Sequence, residues 1–181
     1  MKKISLLIII PLLLFGCDDK NKTKTSGEAT LNSELIFNNN TQTWTVPGFS
    51  FESGSVVLYN PAGGQTIPDI FAIPESDAHN NVTGAYLDTQ NTFSSFAKVG
   101  EFSTIGEAQD FFNNYKQVDV SSFVGSANPV LENQVWVFKT RNEKYAKLLI
   151  VKVDAYLKDT DPFAEVVFKW AYQPDGSKIL P

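Results

Sequence analysis

The chain has 181 residues, a formal charge of −5, 13% aromatic residues, and one cysteine, one histidine and one methionine. The acidic balance argues against nucleic acid as a partner and against electrostatic docking on anionic lipid. A single cysteine excludes an intrachain disulfide, and so few thiol and imidazole groups exclude a cysteine- or histidine-rich zinc site.

Lys2 and Lys3 precede an apolar run, Ile4 to Phe15, interrupted only by Ser5 and Pro11. A basic start, an apolar middle and the small Gly16 follow the order of a secretory signal peptide. The run is shorter than the roughly 20 residues that a membrane-spanning helix needs. Leu14-Phe15-Gly16-Cys17 resembles a bacterial lipobox, with Phe15 bulkier than is usual there. That resemblance implies a diacylglycerol on the Cys17 thiol, cleavage on its N-terminal side, and often a fatty acyl chain such as palmitate on the new amine. Each buried methylene contributes ~0.8 kcal/mol, so two or more chains hold a protein stably on a membrane.

Asp18 and Asp19 follow the cysteine. An Asp there resembles an inner-membrane retention signal of enteric bacteria, and an acidic pair resembles a surface-export signal of the Bacteroidota. The Asn-, Lys- and Ile-rich composition, together with a family resemblance of the C-terminal strands described below, favours the second, hence an outer-membrane location. Cleavage before Cys17 leaves 165 residues and, because two lysines depart with no acid, a charge of −7. That length suits one domain with a sizeable core. Residues 18–30 are polar and cannot bury enough surface to offset their ordering entropy, which reads as a flexible tether, against the alternative of an edge strand of the domain. The expected organisation is a signal peptide over 1–16, a lipidated Cys17 with a flexible tether to 30, and a single β domain over 31–181.

Along the body, short β-branched and aromatic runs alternate with turn signals such as Pro47-Gly48, Asn80-Asn81 and Pro174-Asp175-Gly176. This pattern predicts a mainly β, antiparallel sandwich-like domain. Strands are expected at 33–37, 42–46, 54–60, 68–73, 84–88, 95–99 and near 117–124. Asn38-Asn39-Asn40 would close a hairpin, since Asn tolerates left-handed backbone. Thr104-Ile-Gly-Glu107 fits a capping box and predicts the one helix, with Ile105, Ala108, Phe111, Phe112 and Tyr115 near one face. Gln134 to Thr140 alternates, Arg141 to Lys144 makes a turn, and Tyr145 to Val153 is a strand apolar on both faces in its middle. After a polar loop, Val166, Phe168, Trp170 and Tyr172 share one strand face and read as core, against the alternative that the stripe lines a ligand pocket.

Few groups carry chemistry, and no catalytic residue is nominated. There is no Gly-x-Ser-x-Gly elbow, P-loop or dinucleotide fingerprint. Glu75, Asp77 and His79 alternate and would face one way on an extended segment, so they are the candidate metal ligands; Pro74 and Asn80-Asn81 place them more simply in a solvated loop. Asp154, Asp159 and Asp161 surround a loop that lacks a calcium-loop pattern. A glycosidase needs only two carboxylates close in space, and the spacing nominates no pair. Lys139, Arg141, Lys144, Lys147 and Lys152 form a candidate basic patch for an anion or acidic glycan, against the simpler reading of a solvated strand face.

Val135-Trp-Val-Phe-Lys-Thr-Arg-Asn-Glu-Lys-Tyr-Ala-Lys, the strand to Val153, and Val166-Val-Phe-Lys-Trp-Ala-Tyr-Gln-Pro-Asp-Gly-Ser177 resemble the C-terminal part of the HmuY-like all-β lipoproteins of Bacteroidota. Phe49 to Val57 and Phe96 to Gly100 are fainter likenesses to earlier strands. The resemblance implies a haem-capture protein with two axial ligands from His or Met. His79 is the one histidine and Met1 lies in the signal, so one chain cannot supply such a pair. The expectation is a non-enzymatic, lipid-anchored envelope domain that binds a small molecule, glycan or partner protein, with His79 and the basic residues as candidate ligand contacts. Two alternatives are a structural lipoprotein acting through protein contacts and an envelope hydrolase.

Overall fold

A computed structural model describes residues 24–61, 63, 67–90 and 93–181. Cys17, the signal segment and the first part of the tether lie outside the described residues. The elements in chain order are β1 (Ser26–Asn32), β2 (Ile36–Asn38), β3 (Thr43–Ser50), β4 (Ser55–Tyr59), β5 (Phe71–Ser76), β6 (Val82–Asp88), β7 (Phe96–Glu101), α1 (Ile105–Asn114), β8 (Gln134–Lys139), β9 (Tyr145–Lys158) and β10 (Asp161–Gln173). The fold is mainly β and sandwich-like with one short helix, as the alternation of runs and turn signals predicts.

The frame is a five-stranded sheet in the order β1-β10-β9-β8-β7, with every neighbouring pair antiparallel. Smaller β2-β3-β4 and β5-β6 sheets complete the described architecture. The predicted stripe Val166, Phe168, Trp170 and Tyr172 is wholly buried. Phe49 packs edge-on to Phe168 and Trp170 at 5.2 and 5.3 Å, and Phe51 stacks on Tyr172 at 5.9 Å. These rings prefer such edge and offset contacts because the π-face is negative and the edge positive.

The opposite face of the large sheet is also covered. Ala108 and Phe112 of α1 cluster with Val135, Leu149 and Ala171, and Val118 and Leu180 cluster with Val137. Burial on both sides explains why Leu148, Leu149 and Ile150 carry no polar alternation. The capping box forms as expected: Glu107 N–H donates to Thr104 Oγ1 at 3.3 Å, and Thr104 N–H donates to Glu107 Oε2 at 3.2 Å. Ile105, expected on the buried face, is exposed.

Several expectations need correction. Residues 26–30, assigned to the tether, belong to β1, which pairs with β10 from Ser26↔Ala171 to Asn32↔Glu165. Four of this strand's seven residues carry polar side chains, as suits an edge strand, and its order comes from the ladder and from Leu31, which is fully buried. The predicted strand at 33–37 is broken, with only Ile36–Asn38 extended. Around 117–124 no strand forms; Val118 N–H donates to Lys178 O, and Val124 makes an isolated bridge to Phe96. The expected polar loop after β9 is instead a tight hairpin, with Asp159 at φ +59° between Lys158 and Asp161. The β2-β3 hairpin does form at the Asn run, but Asn38 Oδ1 accepts from Asn40 N–H at 2.9 Å, and the left-handed residue is Gln42.

Candidate functional site

Strand ends converge at one end of the sandwich. Ser50 closes β3, Asp69 precedes β5, Thr89 follows β6, Ser95 precedes β7, Phe138 lies in β8 and Tyr172 in β10. The β8-β9 turn adds Thr140, Arg141 and Asn142, and Glu52 and Phe93 complete the rim. Together they enclose a cleft of about 370 Å³, within the size range of small-molecule sites.

Local chemistry holds this arrangement. Asp69 N–H donates to Phe49 O at 2.8 Å, and Asp69 Oδ2 accepts from Phe51 N–H at 2.8 Å. The aspartate thus ties the approach to β5 onto the end of β3. In the turn, Thr140 N–H donates to Lys144 O and Thr140 Oγ1 accepts from Lys144 N–H at 3.1 Å. Glu143 takes the left-handed position at φ +58°. Arg141 and Asn142 are thereby presented at the cleft.

The electrostatics are unusual for so small a site. Burial pushes the Asp69 carboxyl up from 3.8 to about 6; Phe51 N–H pulls it down, Glu52 pushes it up and Arg141 pulls it down. Burial raises the Tyr172 phenol to about 12, with further contributions from Asp69 and Glu52. Tyr172 is only 2% exposed, yet its hydroxyl makes no hydrogen bond among the described residues. The buried side-chain atom left without a partner among the described residues is Trp170 Nε1; the Tyr172 hydroxyl instead faces the open cleft, where its donor and acceptor sites can meet an entering group.

The sequence candidates fall in different places. Of the basic residues, Arg141 lines the cleft. Lys139 lies with its ammonium 5.2 Å from the centre of the Phe123 ring, and Lys144 is half-buried in the turn. Lys147 is almost completely buried, donating to Phe112 O at 2.7 Å and Tyr115 O at 2.9 Å. It therefore meets the carbonyls at the C-terminal end of α1, where a cation is favoured, and burial lowers it from 10.5 to about 8. Lys152 pairs with Asp154 at 2.5 Å. The candidate patch is not one surface: Lys147 is inside, beneath the helix.

Glu75, Asp77 and His79 fall on the β5-β6 hairpin, and among the described residues no group of three or more His, Cys, Asp or Glu could hold a metal ion. Asp77 Oδ1 accepts from His79 and Asn81 N–H at 2.8 and 2.9 Å, and Oδ2 accepts from Asn81 Nδ2 at 2.8 Å. These bonds hold the carboxyl below its ordinary value and commit it to the turn. His79 is exposed and does not line the end cleft. Asp154, Asp159 and Asp161 are spread along the β9-β10 hairpin.

Compared with known proteins, the chain matches no family model, no curated protein and no solved structure. The cleft is therefore read from its own chemistry. Among the described residues, no helix is long and apolar enough to cross a membrane.

A second depression of about 720 Å³ lies between the β2-β3 and β9-β10 hairpins, lined by Leu35, Trp44, Pro74 and Phe163. Leu35 and Trp44 are well exposed there. Sequence reasoning missed Asp69, and it weighed Tyr172 for a ligand pocket only as one of its stripe, with core preferred. Tyr172 reads as core from its stripe, and nothing in Pro68-Asp69-Ile70 signals that the carboxyl meets the end of another strand.

Proposed function

We propose that this protein is a lipid-anchored, non-enzymatic binding domain of the bacterial envelope, related to the HmuY-like lipoproteins, and that it holds a small ligand in the end cleft. The anchor is supported by the lipobox-like Leu14-Phe15-Gly16-Cys17, the lack of a second cysteine and the acidic pair that follows. The binding role is carried by one observation: the Tyr172 hydroxyl, on an otherwise buried side chain, makes no hydrogen bond among the described residues and opens on a cleft that Asp69 also lines. Haem is the variant these residues support least, because His79 sits on an outer turn.

Native mass spectrometry of the protein extracted from its own membrane tests the reading. The expected result is a bound small molecule whose occupancy drops in Tyr172→Phe. A ligand-free protein in stable complex with another protein would replace this reading with the structural one.

A second reading, an envelope hydrolase, has one specific observation in its favour. Glu52 and Asp69 line the same cleft, and Glu52 helps to raise the Asp69 carboxyl. Glycoside cleavage uses two carboxyl groups in one cleft, one of them raised so that it can act as the acid, and burial raises Asp69. Release of reducing ends from an oligosaccharide, lost in Asp69→Asn, would establish it.

A further inference from the structure

We infer that the ligand of the end cleft is a neutral saccharide, one or two sugar rings held through their hydroxyl groups. The inference rests on the binding role proposed above and names its ligand class.

The argument is one of donor and acceptor matching. The lining offers groups of every kind. Arg141 only donates, ionised Glu52 and Asp69 only accept, and Ser50, Ser95, Thr140 and Tyr172 hydroxyls do both. The Ser50, Ser95 and Tyr172 hydroxyls make no hydrogen bond among the described residues; their side chains are largely buried, and the hydroxyl oxygens are left open to the cleft. A cationic ligand has donors only; it would suit Glu52 and Asp69 and be repelled by Arg141. An anionic ligand has acceptors only and would face those two carboxyls. A sugar hydroxyl is both donor and acceptor, so a polyol satisfies the whole set without burying a charge of its own, which would be costly.

Apolar surface supports the same class. Phe93 is 56% exposed at the rim, and Phe138 and the Tyr172 ring line the interior. A sugar ring has C–H faces as well as hydroxyl edges, and this cleft offers aromatic carbon beside polar groups. The two unpartnered serines and the tyrosine come from β3, β10 and the approach to β7. They converge only in the tertiary structure, and no local turn or cap needs them.

Saturation-transfer NMR and calorimetry on the full chain in detergent test this with maltose, cellobiose, lactose and chitobiose. The comparison ligands are putrescine and succinate. At least one disaccharide is expected to bind, with Tyr172→Phe weakening it about five- to tenfold, the range for one lost hydrogen bond. His79→Ala should leave that affinity unchanged. Ser95→Ala provides a second variant should Tyr172→Phe unfold, and thermal melting checks both. If putrescine or succinate binds in a Tyr172-sensitive way and no disaccharide does, the saccharide assignment is wrong and the binding role stands. If a disaccharide binds with unchanged affinity in both variants, the cleft is not its site and the inference falls. If none of the probes binds, the saccharide assignment falls, and native mass spectrometry on the membrane-extracted protein decides the binding role separately.

Discussion

Asp69→Asn is the most informative substitution because the structure assigns the carboxyl two opposed roles. It accepts from Phe51 N–H at 2.8 Å, which stabilises the fold, while burial disfavours its charged form. The amide is nearly the same shape and still accepts from Phe51, so the variant removes the charge and keeps the tie. The sign follows from proton binding. The folded value, about 6, lies above the ordinary 3.8, so the folded state binds more protons between those limits. Wild-type stability from this group is therefore present below about pH 4 and lost as pH rises through about 6. The interval from 3.8 to about 6 corresponds to about 3 kcal/mol at 1.36 kcal/mol per pH unit. Solvent at the cleft mouth reduces this, and about 1–2 kcal/mol is the expected change. Urea unfolding of both proteins at pH 4, 5, 6 and 7.5 measures it. The difference, wild type minus variant, should fall steadily across that window and then level. A constant difference, or one that grows with pH, would refute the assignment of a buried, raised carboxyl.

Lys147→Met should destabilise the fold by about 1–3 kcal/mol at neutral pH, because the carbonyls of Phe112 and Tyr115 lose their donor. In the wild type, the lysine is lowered to about 8 from 10.5, so its folded state binds fewer protons in that interval. Stability should accordingly rise from pH 8 toward 10.5 in the wild type and not in Lys147→Met, read by chemical denaturation. Gly48→Ala should fold poorly, since a Cβ there would stand 2.5 Å from Pro68 side-chain carbons and 2.8 Å from the Phe71 ring; a normal melting temperature would contradict that packing. Thr104→Ala should cost about 1 kcal/mol through loss of the capping box, seen as a shifted urea midpoint with unchanged slope. Cys17→Ser should abolish incorporation of labelled palmitate, and persistent labelling would remove the proposed anchor.

The class of fold was legible from local pattern alone. Period-2 alternation around Trp136 and Phe138, the stripe from Val166 to Tyr172 and the Thr104–Glu107 capping box each depend on residues near one another in sequence, and each appears where the pattern places it. Double-sided burial of Leu148 to Ile150 likewise announced a strand covered on both faces. What sequence could not reveal depends on partners far along the chain. Residues 26–30 look like tether until β10 supplies their ladder, and Lys147 looks like surface charge until the end of α1 supplies two carbonyls. Asp69 and Tyr172 are ordinary residues in isolation. Only the convergence of strand ends excludes enough water to raise both groups and turns the phenol toward a cleft. Pattern and turn chemistry are local, whereas desolvation and hydrogen-bond supply are properties of the assembled molecule, so the sequence determined the elements and the tertiary structure decided the site.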